Sequence, residues 1–238
     1  MWRGLELKLS IIIPTLDDGA ALRPLLRQLQ GARHAGHELI LVDGGSRDDT
    51  CEMASSWVDR LLQSPPGRAR QMNLGAEAAQ GDWLWFLHAD SRLPEGWLEV
   101  VEAHCHAPHA SWAFFKVRLD NPRWPYRLIA WAMSTRACLT RMATGDQAIL
   151  VRRRRFFEVG GYPDIPLMED LALSRALRSW KPACLEPPLV TSARRWERQG
   201  LVRTVLRMWH LRLAYWLGVS PQRLARRYPP CNSPGTRS

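Results

Sequence analysis

The stretch Lys8-Leu9-Ser10-Ile11-Ile12-Ile13-Pro14 decides the fold. It is a short continuous apolar run stopped by proline, the pattern of a strand buried on both faces and not of an alternating surface strand. Just after it, leucines at 22, 25, 26 and 29 give residues 20–30 a helical stripe, with Pro24 tolerable near the first turn. Residues 37–42 (HELILV) form a second apolar run that ends at Asp43. Strand, helix, strand is a parallel crossover unit. The alternation continues through a helix over 50–57, a strand over 58–62, a helix over 68–80 and a strong strand over 82–87 (DWLWFL). This half of the chain predicts a doubly wound α/β sheet.

Beyond residue 108 the alternation is less regular. It predicts strands over 112–119, 147–151 and 183–190, and helices over 124–138, 169–179 and 200–217. No repeat or linker divides the chain, so the expected organisation is one domain over 1–197, an amphipathic helical extension over 198–228 and a loose tail over 229–238. In the last long helix, Leu201, Val202, Val205, Leu206, Met208, Trp209, Leu213, Trp216 and Leu217 share one broad arc, with Arg203, Arg207 and His210 opposite. Packing on a core accounts for this pattern. Arg212 falls inside the apolar arc, however, and with Trp209, Tyr215 and Trp216 it also suits a membrane interface.

The chain has 238 residues, 46% of them hydrophobic and 24% charged, which excludes disordered, collagenous and mini-protein classes. Cys51, Cys105, Cys138, Cys184 and Cys231 are odd in number, widely spaced and without a CxxC pair. They predict neither a disulfide framework nor a zinc ribbon, and a reducing, cytoplasmic compartment is the simpler expectation. Residues 1–8 lack a signal-peptide stretch, and no run approaches the length of a spanning helix. Lys and Arg number 33 against 23 Asp and Glu, a net charge of +10. That favours an anionic partner: a nucleotide diphosphate, a nucleic acid or an acidic membrane face.

Open parallel sheets bind ligands outside the carboxyl ends of their strands. Three such ends carry short polar groups: Pro14-Thr15-Leu16-Asp17-Asp18, Asp43-Gly44-Gly45-Ser46-Arg47-Asp48-Asp49, and His88-Ala89-Asp90-Ser91. A nucleotide with its diphosphate suits that rim. Asp43 is favoured as an acceptor for a base N–H or ribose hydroxyl, while Ser46, Asp48 and Asp49 read as caps and first-turn acids of the next helix. No GxGxxG follows the first strand, which argues against a dinucleotide-binding dehydrogenase. A bare HxD is more often a cap or surface pair, but at the end of a central strand its carboxylate is placed to hold a divalent ion on two phosphates. Glu169 and Asp170 follow a proline-punctuated loop. By spacing alone they are helix-dipole acids, and functionally one of them would be a general base. Arg152 to Arg155 read as a solvated face or an anion-binding edge, and Arg194-Arg195-Trp196 as a diphosphate contact or a surface patch.

Together these segments resemble the family 2 glycosyltransferases with the GT-A fold, over roughly residues 8–196. SIIIPTLDD is similar to the family's opening strand and donor loop, LILVDGGSRDDT to its "VDDGSxDxT" segment, and GDWLWFLHADSRLPEGWLE to the strand carrying its metal-binding Asp. ATGDQAILVRRRRFFEVGGYPDIPLMEDLALSRAL resembles the acceptor-side segment ending in a Glu-Asp pair. The HAD form, RARQMN and GGYPDIPLMED resemble most the radical-SAM/selenodomain-associated transferase 2 subgroup.

The resemblance implies a GT-A sheet and inverting, metal-dependent transfer from a nucleotide sugar, with UDP favoured, to a hydroxyl acceptor. Pro14, Thr15 and Asp43 would line the nucleoside pocket, and Asp90 would hold Mn²⁺ or Mg²⁺ at the diphosphate. Asp170 would be the base with Glu169 beside it, and Arg195 a further donor contact. HAD in place of DxD removes one carboxylate and leaves His88 as a candidate ligand, which Mn²⁺ accepts more readily than Mg²⁺. Met72 stands where the family carries a basic residue, so Arg68 or Arg70 would supply that charge. The Gln-x-x-Arg-Trp motif of processive members is only partly present as Ser192-Ala193-Arg194-Arg195-Trp196, which favours single-sugar transfer.

The two long apolar helices suggest a lipid-like acceptor and peripheral contact with the inner membrane face. The runner-up enzyme class is a nucleotidyltransferase, whose sheet looks similar but which needs a glycine- and arginine-rich triphosphate loop that residues 14–19 do not supply. The alternative from a different class is a basic nucleic-acid-binding protein, which would use the +10 charge, bind RNA or DNA with steep salt dependence and have no need of Asp43, Asp90 or Asp170; under the transferase reading no nucleic-acid partner is expected.

Overall fold

The computed structural model describes residues 7–226, apart from the side chain of Arg195. The first half runs β1 (Leu9–Thr15), α1 (Gly19–His34), β2 (Glu38–Asp43), α2 (Thr50–Ala54), β3 (Arg60–Gln63), α3 (Arg68–Ala78), β4 (Trp83–Phe86) and α4 (Trp97–His106). The second half runs β5 (Trp112–Leu119), α5 (Trp124–Thr140), β6 (Leu150–Arg152), α6 (Arg153–Glu158), α7 (Glu169–Ala176), β7 (Ala183–Thr191), α8 (Arg194–Gln199), α9 (Leu201–Trp216) and α10 (Pro221–Arg226). A one-turn 3₁₀ helix, Gly145–Gln147, precedes β6.

All residues of β1 and β2 are buried, as their uninterrupted apolar runs require. Successive side chains divide between two cores: Ile11 and Ile13 pack with Leu22, Leu25, Leu26 and Leu29 of α1, whereas Ile12 packs with Ala69, Met72 and Ala76 of α3. Full burial of each such leucine contributes about 1.5–3 kcal/mol. Gly75 lets α3 lie close on the sheet, since a Cβ there would stand 2.5 Å from Ile12 Cγ2.

The strands form one sheet in the order β3-β2-β1-β4-β6-β5-β7. β1 pairs in parallel with both β2 and β4, so the chain winds outward in two directions from β1 and leaves a crevice at its carboxyl end. β6 alone runs against its neighbours β4 and β5, while β5 and β7 are parallel. The sheet is therefore mostly parallel with helices on both faces, the expected GT-A arrangement.

Four expectations need correction. Cys138 on α5 and Cys184 on β7 form a disulfide across 46 residues, a pairing that wide spacing concealed. The arginine run is not a uniformly solvated face: Arg152 lies over Trp83, Arg153 over Phe157 and Arg155 over Trp180, each as a cation–π contact, and Arg154 is the exposed one of the four. Asp49 precedes α2 without capping it by its side chain; Asp48 takes the Thr50 amide instead. Finally, α9 buries only Thr204 and Leu211, and exposes Val202, Leu206, Trp209, Leu213, Trp216 and Leu217, so core packing does not account for its apolar arc. Leu211 joins Met142, Met168, Leu171 and Leu224 in a small cluster that holds α9 and α10 against the start of α7. No described helix is long and apolar enough to cross a membrane. The expected tail over 229–238 and Cys231 lie outside the described residues.

Candidate functional site

The crevice at β1 begins with Pro14 and Thr15, both buried. The Thr15 hydroxyl is inside the protein and has no hydrogen-bond partner, an open polar group where β1 meets the rim. Asp43 ends β2 beside it, paired in register with Thr15. Its carboxylate accepts the Gly45 amide at 2.9 Å, the Ser46 amide at 3.0 Å and the Ser46 hydroxyl. Burial pushes the Asp43 carboxyl up, but those hydrogen bonds outweigh it and hold the pKa below the usual range. The loops after β1 and β2 are tied together, since Asp17 accepts the Arg47 amide and donates its own amide to Ser46 Oγ.

Gln71 ties the first turn of α3 to this rim. Its buried amide donates to the Thr15 carbonyl at 2.8 Å and the Val42 carbonyl at 2.9 Å, pinning the ends of β1 and β2. Two residues on, Asn73 exchanges two hydrogen bonds with the Tyr162 backbone, which clamps the Gly161–Asp170 loop to the same helix.

That loop turns into α7 through Met168, whose φ of 70° is left-handed, and so presents Glu169 and Asp170 at the helix start. Asp170 accepts the Gly145 amide at 2.5 Å and the Leu171 amide at 2.7 Å. Gly145 in turn lies flat against His88, where a Cβ would meet the imidazole at 2.5 Å. His88, Gly145, Tyr162, Glu169 and Asp170 line a small cavity floored by Met72 and Phe86. Burial and the neighbouring Asp170 raise the Glu169 pKa, against the weaker pull of Arg68 and His88. Of the two acids, Asp170 is the one whose carboxylate is held by two backbone amides.

His88 Nδ1 stands 3.5 Å from Asp146, so this ring faces the Gly145 loop. Asp90 is exposed and has no hydrogen bond or ion pair among the described residues. No group of three or more His, Cys, Asp or Glu gathers among the described residues. A single open carboxylate fits Mg²⁺ or Mn²⁺ that completes its shell with substrate phosphates and water, not a protein cage. Arg68 is exposed within electrostatic reach of Glu169, whereas Arg70 is held by both oxygens of Asp164 at 3.0 Å. Arg195 belongs to α8, and its side chain lies outside the described residues.

The expected residues thus gather in two places: Pro14, Thr15 and Asp43 at the β1–β2 rim, and His88, Glu169 and Asp170 around the cavity. Gln71, Asn73 and Gly145 escaped sequence reasoning as site residues, although RARQMN and ATGDQ were the segments that carried them.

Residues 10–161 match the profile described as glycosyl transferase family 2. A PGL/p-HBAD biosynthesis glycosyltransferase of Mycobacterium tuberculosis is 34% identical over 164 residues, 64% of this chain and 62% of that protein. The chain spans less than two thirds of the length of such curated relatives. Among solved structures, S. aureus TarS 1-349 in complex with UDP superposes with a TM-score of 0.63 at 17% identity, covering 78% of this chain and 60% of that one. Mannosyltransferase PcManGT from Pyrobaculum calidifontis, in complex with GDP-Man and Mn²⁺, gives 0.59 at 17% identity over 93% and 65%. At these identities the two structures establish the shared fold.

Proposed function

Since this chain belongs to glycosyl transferase family 2, we propose that it transfers a sugar from a nucleotide-diphosphate sugar, a UDP-sugar before others, to a hydroxyl acceptor with inversion at the anomeric carbon. Within the family, the HAD, RARQMN and GGYPDIPLMED segments support a reading as a member of the radical-SAM/selenodomain-associated transferase 2 subgroup.

Pro14, Thr15 and Asp43 hold the nucleoside, with the open Thr15 hydroxyl and the remaining Asp43 lone pairs available to it. Asp90 would hold Mn²⁺ or Mg²⁺, with His88 turned instead to the Gly145 loop; such an ion, when bound, neutralises charge on the departing diphosphate. Arg68 adds positive charge near the diphosphate, Arg195 is a candidate donor contact on its sequence position alone, and Arg70 pairs with Asp164. Asp170 takes the proton of the acceptor hydroxyl as that oxygen attacks in line, with Glu169 beside it. The Gly145 amide fixes Asp170 while leaving lone pairs free to receive that proton.

The acceptor is lipid-like, and the protein works against an anionic membrane surface. On α5, Trp124, Leu128, Trp131 and Leu139 are exposed in an arc of roughly 80°, and the exposed stripe of α9 spans roughly 100°. Trp131 and Trp209 are 64% and 72% exposed. Neither helix contains an acidic residue, while Arg123, Arg127 and Arg203 stand exposed on or beside them. Apolar and aromatic stripes edged by arginine suit the interface of an anionic bilayer.

The observation that carries the transferase reading is Asp170, held by a backbone amide in a cavity on the same rim as the open Asp90 carboxylate. Calorimetric titration of UDP and GDP with Mn²⁺, Mg²⁺ or chelator tests the donor half. Metal-dependent UDP binding that Asp90→Ala abolishes and Asp170→Asn leaves intact is expected, with transfer lost in both variants. Absence of nucleotide binding under every condition would refute it.

A further inference from the structure

Two arginines that the donor site does not use stand together behind Asp170. Arg136 projects from α5 and donates Nη1 to the Met142 carbonyl at 3.1 Å, but its Nε and Nη2 are buried without any hydrogen-bond partner. Arg212 lies on α9, next to Leu211, which packs on Met142, Met168 and Leu171 at the start of α7. It is mostly withdrawn from solvent, within electrostatic range of Arg136, Asp170 and Asp146. Neither arginine forms an ion pair among the described residues.

Two neighbouring guanidinium groups taken out of water forgo solvation, a cost that the attraction of Asp170 and Asp146 offsets only in part, and a further anion between them would offset more of it. Burial and the charge of Arg212 together push Arg136 down to about 10, against the smaller attraction of Asp170. Guanidinium forks match the paired oxygens of phosphate and carboxylate.

We infer that Arg136 and Arg212 form an anion subsite on the acceptor side of Asp170, built for the phosphate or carboxylate headgroup of an amphiphilic acceptor. The headgroup sits between the two guanidinium groups, and its apolar part leaves along the exposed stripes of α5 and α9. Placement on the acceptor side rests on the proposed role of Asp170 as base; the anion subsite itself does not.

Inorganic phosphate and octyl phosphate, titrated calorimetrically into the full chain saturated with UDP and Mg²⁺, test this. Arg212 makes no hydrogen bond that folding needs, so Arg212→Gln is the clean variant and Arg136→Gln the supporting one. Each is expected to weaken both phosphates about tenfold or more, the worth of charged hydrogen bonds. UDP affinity should stay unchanged in both variants. Octyl phosphate should bind more tightly than inorganic phosphate. Unchanged phosphate affinity in Arg212→Gln would overturn the subsite. Displacement of phosphate by UDP would reassign it to the donor diphosphate, and equal affinity for the two phosphates would remove the amphiphile. If UDP binds nowhere, the same titration without nucleotide still reads the arginine pair, so failure of the donor site and of this subsite are told apart.

Discussion

Gly145→Ala isolates the contact that organises the cavity. The backbone of Gly145 is not left-handed, so the substitution carries no intrinsic strain and acts through its one added carbon. That carbon would stand 2.5 Å from His88 Cε1 and Nε2, with Asp170 Oδ2 at 3.7 Å. An ordinary contact needs about 1 Å more, so either the imidazole moves or the loop withdraws and lengthens the amide bond to Asp170. Overpacking of this kind costs about 1–3 kcal/mol of stability. Displacing the base by about 1 Å slows the chemistry roughly 100-fold, which is about 2.7 kcal/mol in the barrier. Gly31→Ala is the control: nothing lies within 4 Å of its Cβ in α1, and it should stabilise by about 0.5–1 kcal/mol. Urea unfolding, UDP titration and single-turnover transfer separate the effects, with lower stability and rate but unchanged UDP affinity expected for Gly145→Ala. A variant as stable and as fast as the parent would refute the claim that the Gly145–His88 contact positions Asp170.

Glu169 is raised by burial and by Asp170, so the stability it contributes is present at low pH and is lost as pH rises through its folded value. Glu169→Gln removes that loss: its Tm should match the parent near about pH 4 and exceed it increasingly toward pH 8, whereas a pH-independent difference would contradict the assignment. Gln71→Leu leaves the Thr15 and Val42 carbonyls without the side-chain donor, and should cost about 1–3 kcal/mol in urea unfolding and weaken UDP binding. Trp131→Ser with Trp209→Ser should reduce sedimentation with phosphatidylglycerol vesicles and leave Tm unchanged, since both side chains face outward; retained sedimentation would count against the membrane face.

The half proposed to bind the donor was legible because a central parallel strand is buried on both faces and must be written as an apolar run, so residues 9–15, 38–43 and 83–86 announced themselves. Their polar ends then marked Thr15, Asp43 and Asp90 by position alone. The acceptor half was harder for three physical reasons. The Gly145–Asp170 hydrogen bond joins residues 25 positions apart, and no local pattern encodes it. Periodicity reports that a helix has an apolar face but not whether protein covers it, so α9 read as packed. Arg136 and Arg212 come from different helices, and only folding sets like charges side by side. Cys138 and Cys184 are likewise 46 residues apart and meet only once α5 lies across β5 and β7.

The lone reversed strand, β6, has a kinetic consequence. β4 is bonded on one side to β1, but its other edge waits for Leu150–Arg152, which arrive more than sixty residues later. A nascent chain that has made the first four strands therefore presents a bare edge flanked by Trp83, Leu84 and Trp85, the kind of surface that recruits strands from other molecules. Closure of that edge and delivery of Gly145 to His88 are one event, because the turn carrying Gly145 leads directly into β6. Chains cut between β4 and β6 should accumulate as aggregates, and the first chains to stay in solution should be those long enough to include β6.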